Sequence, residues 1–260
     1  MLSRLNVFII LLLMFAGSAW AQTKPKDDFE VNDIPEEDVH PYFGLGAGFN
    51  VNILAPKFDD INAMTKPLGI PALSGGMILT GGAGFISSPF GKNLRVGGTA
   101  YGGLICESVD SLLMIGGVAD SVKRTMTYTL AGGGLTLEYV YPFAFTRNKL
   151  ILTGGAMLGI GSITVQLNQV TSDPLTWNNF YAGPGQNYAR QIHATYFAYK
   201  PYINLEYSLF AFLMLRATVG YNGTVMGTFT QDLNDPISGV PSINGNGLVY
   251  GGGIYLGIFR

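Results

Sequence analysis

From Tyr42 onward, apolar side chains recur at every second position. In YFGLGAGFNVNIL, Phe43, Leu45, Ala47, Phe49, Val51 and Ile53 share one face, and Gly44, Gly46, Gly48, Asn50 and Asn52 share the other. A period of two is the mark of a strand with unlike faces. The same pattern predicts seven further strands, at about 75–87, 93–106, 124–141, 148–166, 190–207, 212–224 and 246–259. All exceed the usual strand of about five or six residues. All also meet the requirement of about 9 to 11 residues for a tilted strand crossing a bilayer.

The connections alternate in length. Long links at 55–74, 107–123, 167–189 and 225–245 take turns with the short SPFGK, PFAFTRN and SLFA. This rhythm predicts an all-β, closed, antiparallel, up-and-down transmembrane barrel of eight strands, or ten if a long link hides a hairpin. With eight strands, both ends of the barrel lie on the short-turn side, which is periplasmic in such a barrel. The last strand places Leu248, Tyr250, Ile254, Leu256 and Ile258 on one face, with Gly251, Gly253, Tyr255 and Gly257 on the other. Pairing it with the first strand near Tyr42 leaves no open edge in lipid.

Composition agrees with a chain that keeps few charges on its surface. Of its 260 residues 48% are hydrophobic and 12% charged, against about 25% charged in ordinary soluble domains. No internal run reaches the roughly 18 apolar residues of a membrane-spanning helix. Residues 1–21 read as a signal peptide for Sec export, with Arg4, the apolar VFIILLLMFAG and the small-residue site Ala19-Trp20-Ala21. Residues 22–40 read as a flexible acidic periplasmic leader, and 41–260 as the barrel. Cys106 is the sole cysteine, which excludes an internal disulfide and a cysteine-based zinc site; the expectation for it is a small apolar filler near a strand end. A net charge of -2 gives no electrostatic case for nucleic acid. GLGAGF at 44–49 approaches a dinucleotide-binding fingerprint but continues as an alternating strand instead of opening a helix.

Taken together, the region from Tyr42 to Phe259 resembles the small OmpA-like outer-membrane β-barrels. Gly253-x-x-Leu256-x-Ile258-Phe259 is similar to their C-terminal assembly signal, with Arg260 as an additional last residue. The resemblance implies a cell outer-membrane location, contact with outer-membrane lipid and lipopolysaccharide, and insertion by the barrel-assembly machinery. It also implies a porin-like lumen whose ion pairs rearrange to pass small solutes.

Alternation directs six charged residues into the lumen: Arg95, Glu138, Lys149, Lys200, Glu206 and Arg216. Facing lipid at midplane, each Lys or Arg would cost about 2–4 kcal/mol. Four of the six fall near the short-turn ends of their strands, which predicts an ionic layer in a lumen just wide enough to be filled by side chains. Glu138 and Glu206 each sit in an LEY triplet, with Leu and Tyr outward and Tyr139, Tyr141 and Tyr207 at the interfacial belt. Inward glycines are expected to make room for Tyr101, Tyr196, Tyr202 and Tyr255.

The expected function is an integral outer-membrane barrel with a structural or interaction role, and with a narrow gated solute path as the further expectation. No catalytic, metal or cofactor residue is assigned. Three alternatives stand beside it. One is OmpW-like uptake of small hydrophobic molecules, with Pro201 marking a strand break. Another is a lipid-modifying enzyme, with His193 as base and Ser162 or a loop serine as nucleophile. The third is a soluble lipocalin-like barrel with its apolar face inward. Trp177, Phe180 and Tyr181 in the link 175–191 are read as packing onto the rim, or as a surface for a loop ligand not identified by the sequence.

Overall fold

The computed structural model describes residues 42–115, 118–146, 148–171, 187–231 and 235–259. Residues 1–41, Trp177, Phe180, Tyr181 and Arg260 therefore lie outside the described residues, as do the signal peptide and leader.

Eight long strands form the wall: β1 (Gly44–Pro56), β2 (Met77–Ser87), β3 (Leu94–Ile115), β4 (Val118–Pro142), β5 (Leu150–Thr171), β6 (Tyr188–Phe210), β7 (Leu213–Met226) and β10 (Gly247–Phe259). Each pairs antiparallel with its sequence neighbour, and β10 bridges β7 and β1 to close the ring. Gly44 opposes Phe259 and Pro56 opposes Gly247, so the seam is paired along the full length of both strands. Between β7 and β10, the two-residue strands β8 (Thr230–Gln231) and β9 (Asp235–Pro236) form a small hairpin on the edge of β6. A long link thus does hide a hairpin, but it stays outside the ring and the barrel count remains eight.

Short turns join β2 to β3, β4 to β5 and β6 to β7. Asn93 and Asn148 take positive φ in the first two, at 61° and 59°, a conformation that asparagine tolerates better than most residues. The third needs only Ala211 and Phe212.

The expected link at 107–123 is instead strand. β3 continues to Ile115 and β4 begins at Val118. At about 3.3 Å per residue, 22 residues reach farther than a tilted crossing of a roughly 30 Å hydrocarbon layer requires. Beyond the membrane the outward positions no longer have to be apolar, so Ser108, Asp110 and Lys123 suit a strand there. Asp110 lies directly opposite Lys123 in the ladder, a favourable cross-strand pair.

Outward positions form an apolar belt: Phe49, Ile78, Leu104, Leu135, Ile160, Ile203, Val219 and Ile254 are all more than half exposed. Tyr139, Tyr141, Tyr207, Phe210 and Phe212 ring its short-turn side. Inward positions are buried, with Tyr101, Tyr196, Tyr202 and Tyr255 among them. Tyr196 donates to the Ala131 carbonyl at 3.0 Å, and its ring occupies the space that a Cβ at Gly161 would need.

At the long-loop end the lumen is filled by an apolar cluster. Helix α1 (Asp59–Thr65) buries Ile61 against it, and Phe58 meets Tyr128 edge-on at 5.4 Å between centroids. Asn62 clamps the loop through both its amide atoms, donating to the Leu73 carbonyl and accepting from the Leu73 N–H at 2.7 Å. Arg124 donates to the Leu68 carbonyl at 3.1 Å. The link before β10 tucks in likewise, with Asn222 and Tyr128 donating to the carbonyls of Gly245 and Asn244.

With the belt as the lipid surface, Leu135→Arg will destabilise the barrel folded in vesicles by about 2–4 kcal/mol. The exposed Ser108→Arg, above the belt on the same wall, will stay within about 0.5 kcal/mol. Urea titration of both variants in lipid vesicles checks the contrast.

Candidate functional site: an ionic layer in the lumen

Near the short-turn end, four strands deliver four charged side chains to one level. Arg95 stands one residue inside β3 and opposes Glu138 of β4 in register; Glu206 of β6 opposes Arg216 of β7. Each of these pairs is therefore set by strand register. The narrow lumen adds the crossing contacts. Arg95 Nη2 reaches Glu206 Oε1 at 2.8 Å, and Arg216 Nη1 reaches Glu138 Oε1 at 3.2 Å. With Arg95 Nε to Glu138 Oε2 at 3.2 Å and Arg216 Nη2 to Glu206 Oε1 at 2.8 Å, every cation meets both carboxylates. All four residues are buried.

Neutral groups fill further sites of the layer, while Arg95 Nη1 and Arg216 Nε keep no hydrogen-bond partner among the described residues. Thr153 accepts from Arg95 at 2.6 Å and donates to Glu206 at 3.2 Å. Tyr202 and Asn204 donate to Glu138. Such partners matter because ions removed from water cost several kcal/mol each unless their remaining hydrogen-bonding sites are filled. Alternation directs Tyr202 inward without revealing this role, and Thr153 and Asn204 carry no charge that would single them out. Both lie at inward positions of alternating strands, Asn204 two residues before Glu206, so parity was the available signal.

An aromatic collar holds the guanidinium groups. The Arg95 guanidinium carbon lies 4.2 Å from the Phe85 ring centroid, and that of Arg216 lies 4.5 Å from Tyr255. Cation–π contacts of this kind gain strength where water is excluded. Phe259 packs on Phe85 from inside the lumen, at 6.3 Å between centroids. Within the expected assembly signal, Leu256 and Ile258 face outward, Gly253 lines the inner face beside Asn50, and Phe259 turns inward. Below the layer, ahead of β1, Tyr42 packs with Val140 and Ile151. Burial pushes its phenol up to about 12, which keeps it protonated.

The two other expected lumen residues depart from the quartet. Lys200 is inside, but a level farther from the short turns, with its ammonium 5.0 Å from the Tyr101 ring centroid. Lys149 is not in the lumen. It belongs to the turn before β5, which begins at Leu150, and its side chain is exposed. Its backbone carbonyl accepts from Ser208 at 2.8 Å, so the residue serves turn pairing and the alternation does not extend to it. Cys106 also departs from expectation. It takes an outward position on the tall part of β3 and is exposed, because the strand continues where a loop was expected.

Pro201 does not break β6, which runs through it. It faces outward, and the β6–β7 ladder passes from Tyr199–Gly223 to Tyr202–Gly220 with no shift in register. His193 lies beside Thr230, with Nε2 at 3.1 Å from its hydroxyl oxygen. Ser162 opposes Thr195 instead. Among the described residues, no three His, Cys, Asp or Glu side chains converge as a metal site.

A closed up-and-down ring with an apolar outer face and an ionic interior defines the transmembrane class of β-barrel. No protein-family model and no curated protein matches the sequence. Among solved structures, the chain is similar to Ail, the attachment invasion locus protein of Yersinia pestis, in complex with the heparin analogue sucrose octasulfate. That match has 11% identity and a TM-score of 0.38, covering 84% of this chain and 98% of that one. It is also similar to a major outer membrane protein from Thermus thermophilus, with 13% identity, a TM-score of 0.36, and coverage of 82% and 99%.

Glu206→Gln leaves two buried guanidinium groups sharing one carboxylate and will destabilise the barrel by about 3–5 kcal/mol. The exposed Asp110→Asn will change stability by about 0.5 kcal/mol or less. Urea unfolding in detergent micelles measures both.

Proposed function

We propose that the chain is an integral outer-membrane barrel whose interior is sealed, acting as a scaffold that carries a tall sheet wall and its connecting loops beyond the membrane. The observation that carries this reading is the inversion of the usual soluble pattern: large apolar side chains face outward around the ring while the ion quartet is buried within. A lipocalin-like soluble barrel would have to leave that belt in water. The leader, the export signal, and the contacts with lipopolysaccharide and the assembly machinery belong to this proposal.

Two seals in series support a closed lumen. The ionic layer fills the short-turn end, and the α1-capped apolar cluster fills the long-loop end. A gated solute path requires both to move. OmpW-like uptake would use an open apolar cavity and a break in the wall; here the upper lumen is packed and β6 is continuous. The reading assigns no enzymatic activity, and the neighbours of His193 give it no carboxylate contact among the described residues.

Membrane fractionation will place the chain with the outer membrane, soluble only in detergent, and unboiled samples will migrate apart from boiled ones on a denaturing gel. Mature protein that stays dissolved in plain buffer overturns the proposal. In planar bilayers, the wild type and the Glu138→Gln/Glu206→Gln double variant will both stay without steady current, because the apolar seal remains. Current steps in the double variant would assign gating to the quartet instead.

A further inference from the structure

Between the two seals lies a polar chamber of about 40 Å³, lined by Asn50 and Asn52 of β1, Thr136 and Glu138 of β4, Lys200 of β6 and Arg216 of β7, among others. A water molecule needs about 10–15 Å³ by the same measure, so the chamber holds a few waters or one small ion. Its charges do not balance. Arg95 and Arg216 are matched by Glu138 and Glu206, whereas Lys200 adds a third cation with no ion pair or hydrogen bond among the described residues. Its ammonium lies over the faces of Tyr101 and Tyr202, 5.0 and 5.9 Å from the ring centroids. These offset only part of the cost of enclosing an ammonium.

Further donors face the same space. Asn50 spends its carbonyl oxygen on the Tyr255 hydroxyl at 2.8 Å, and no described acceptor takes up its amide N–H groups or those of Asn52. Glu138 borders the chamber but is already engaged by both arginines, Tyr202 and Asn204. The space therefore offers donors and a surplus positive charge.

We propose that this chamber binds one small monovalent anion of halide size, held by the Lys200 ammonium and the side-chain amides of Asn50 and Asn52. The site needs no conduction and does not depend on how the barrel is used. The anion supplies the counter-charge that the protein lacks at this level and thereby stabilises the folded barrel through binding.

The test refolds the full-length mature chain in detergent with sodium bromide or with sodium gluconate at equal ionic strength, gluconate being too large for the chamber. The urea midpoint of the wild type will be higher in bromide. That difference will vanish in Lys200→Met and Lys200→Gln, and will persist in Lys57→Met, whose lysine is exposed on a loop. Crystals grown with bromide will show an anomalous peak beside Lys200 Nζ. Equal wild-type midpoints in the two salts, a bromide effect that survives in both Lys200 variants, or an empty chamber in the anomalous map each overturn the site. Because every readout is taken in detergent, loss of the anion effect leaves the membrane reading intact, whereas failure to require detergent overturns that reading alone.

Discussion

An unpaired strand edge in hydrocarbon would leave a row of N–H and C=O groups without partners, at several kcal/mol each. The seam between β1 and β10 removes that cost, and much of the rest follows from it. Closing eight strands fixes a narrow interior. A narrow interior brings residues from opposite walls within reach of one another. Alternation then decides which side chains make that meeting, since a shift of one residue would exchange lipid-facing and lumen-facing sets. Residues 251–259 illustrate the constraint: Ile254, Leu256 and Ile258 face outward, while Tyr255 and Phe259 pack on Phe85 inside.

The ionic layer shows how two kinds of geometry combine. Register alone sets Arg95 against Glu138 and Glu206 against Arg216. Closure alone brings the two pairs together, so that each guanidinium shares its charge between two carboxylates. An ion pair buried singly often fails to repay its desolvation. Here Thr153, Tyr202 and Asn204 fill further hydrogen-bonding sites, and the rings of Phe85 and Tyr255 cover guanidinium faces. The layer gains from being connected, and loss of one member is felt by all the others.

Strand existence, facing and order were legible because lipid imposes a two-residue period wherever the wall crosses it. The four quartet residues were legible for the same reason: a charge at an inward position among outward apolar neighbours stands out. Where lipid no longer acts, the signal faded. The upper halves of β3 and β4 carry Glu107, Asp110 and Lys123 and look like loop, yet they remain paired. Lys149 fails at the other end, since parity carried one residue past Leu150 assigns a side chain to a lumen it has already left. The apolar upper core was hidden for a different reason. Phe58, Ile61 and Ile70 belong to a link whose return into the barrel mouth is fixed by Asn62 and Arg124, contacts that no periodicity encodes.

These two interior layers use opposed physics, and that opposition bears on what the barrel can transmit. The short-turn seal is electrostatic, so loss of charge weakens it. The long-loop seal is apolar, and the same change leaves it in place. On the proposed reading, a path through the lumen needs two unlike perturbations: exchange among the ion pairs below, and withdrawal of Phe58, Ile61 and their neighbours above. The two layers meet at Tyr202, which packs in the apolar cluster and donates to Glu138, so opening one is coupled to opening the other. A barrel so built keeps its wall in the bilayer and its rim in place while either seal fluctuates.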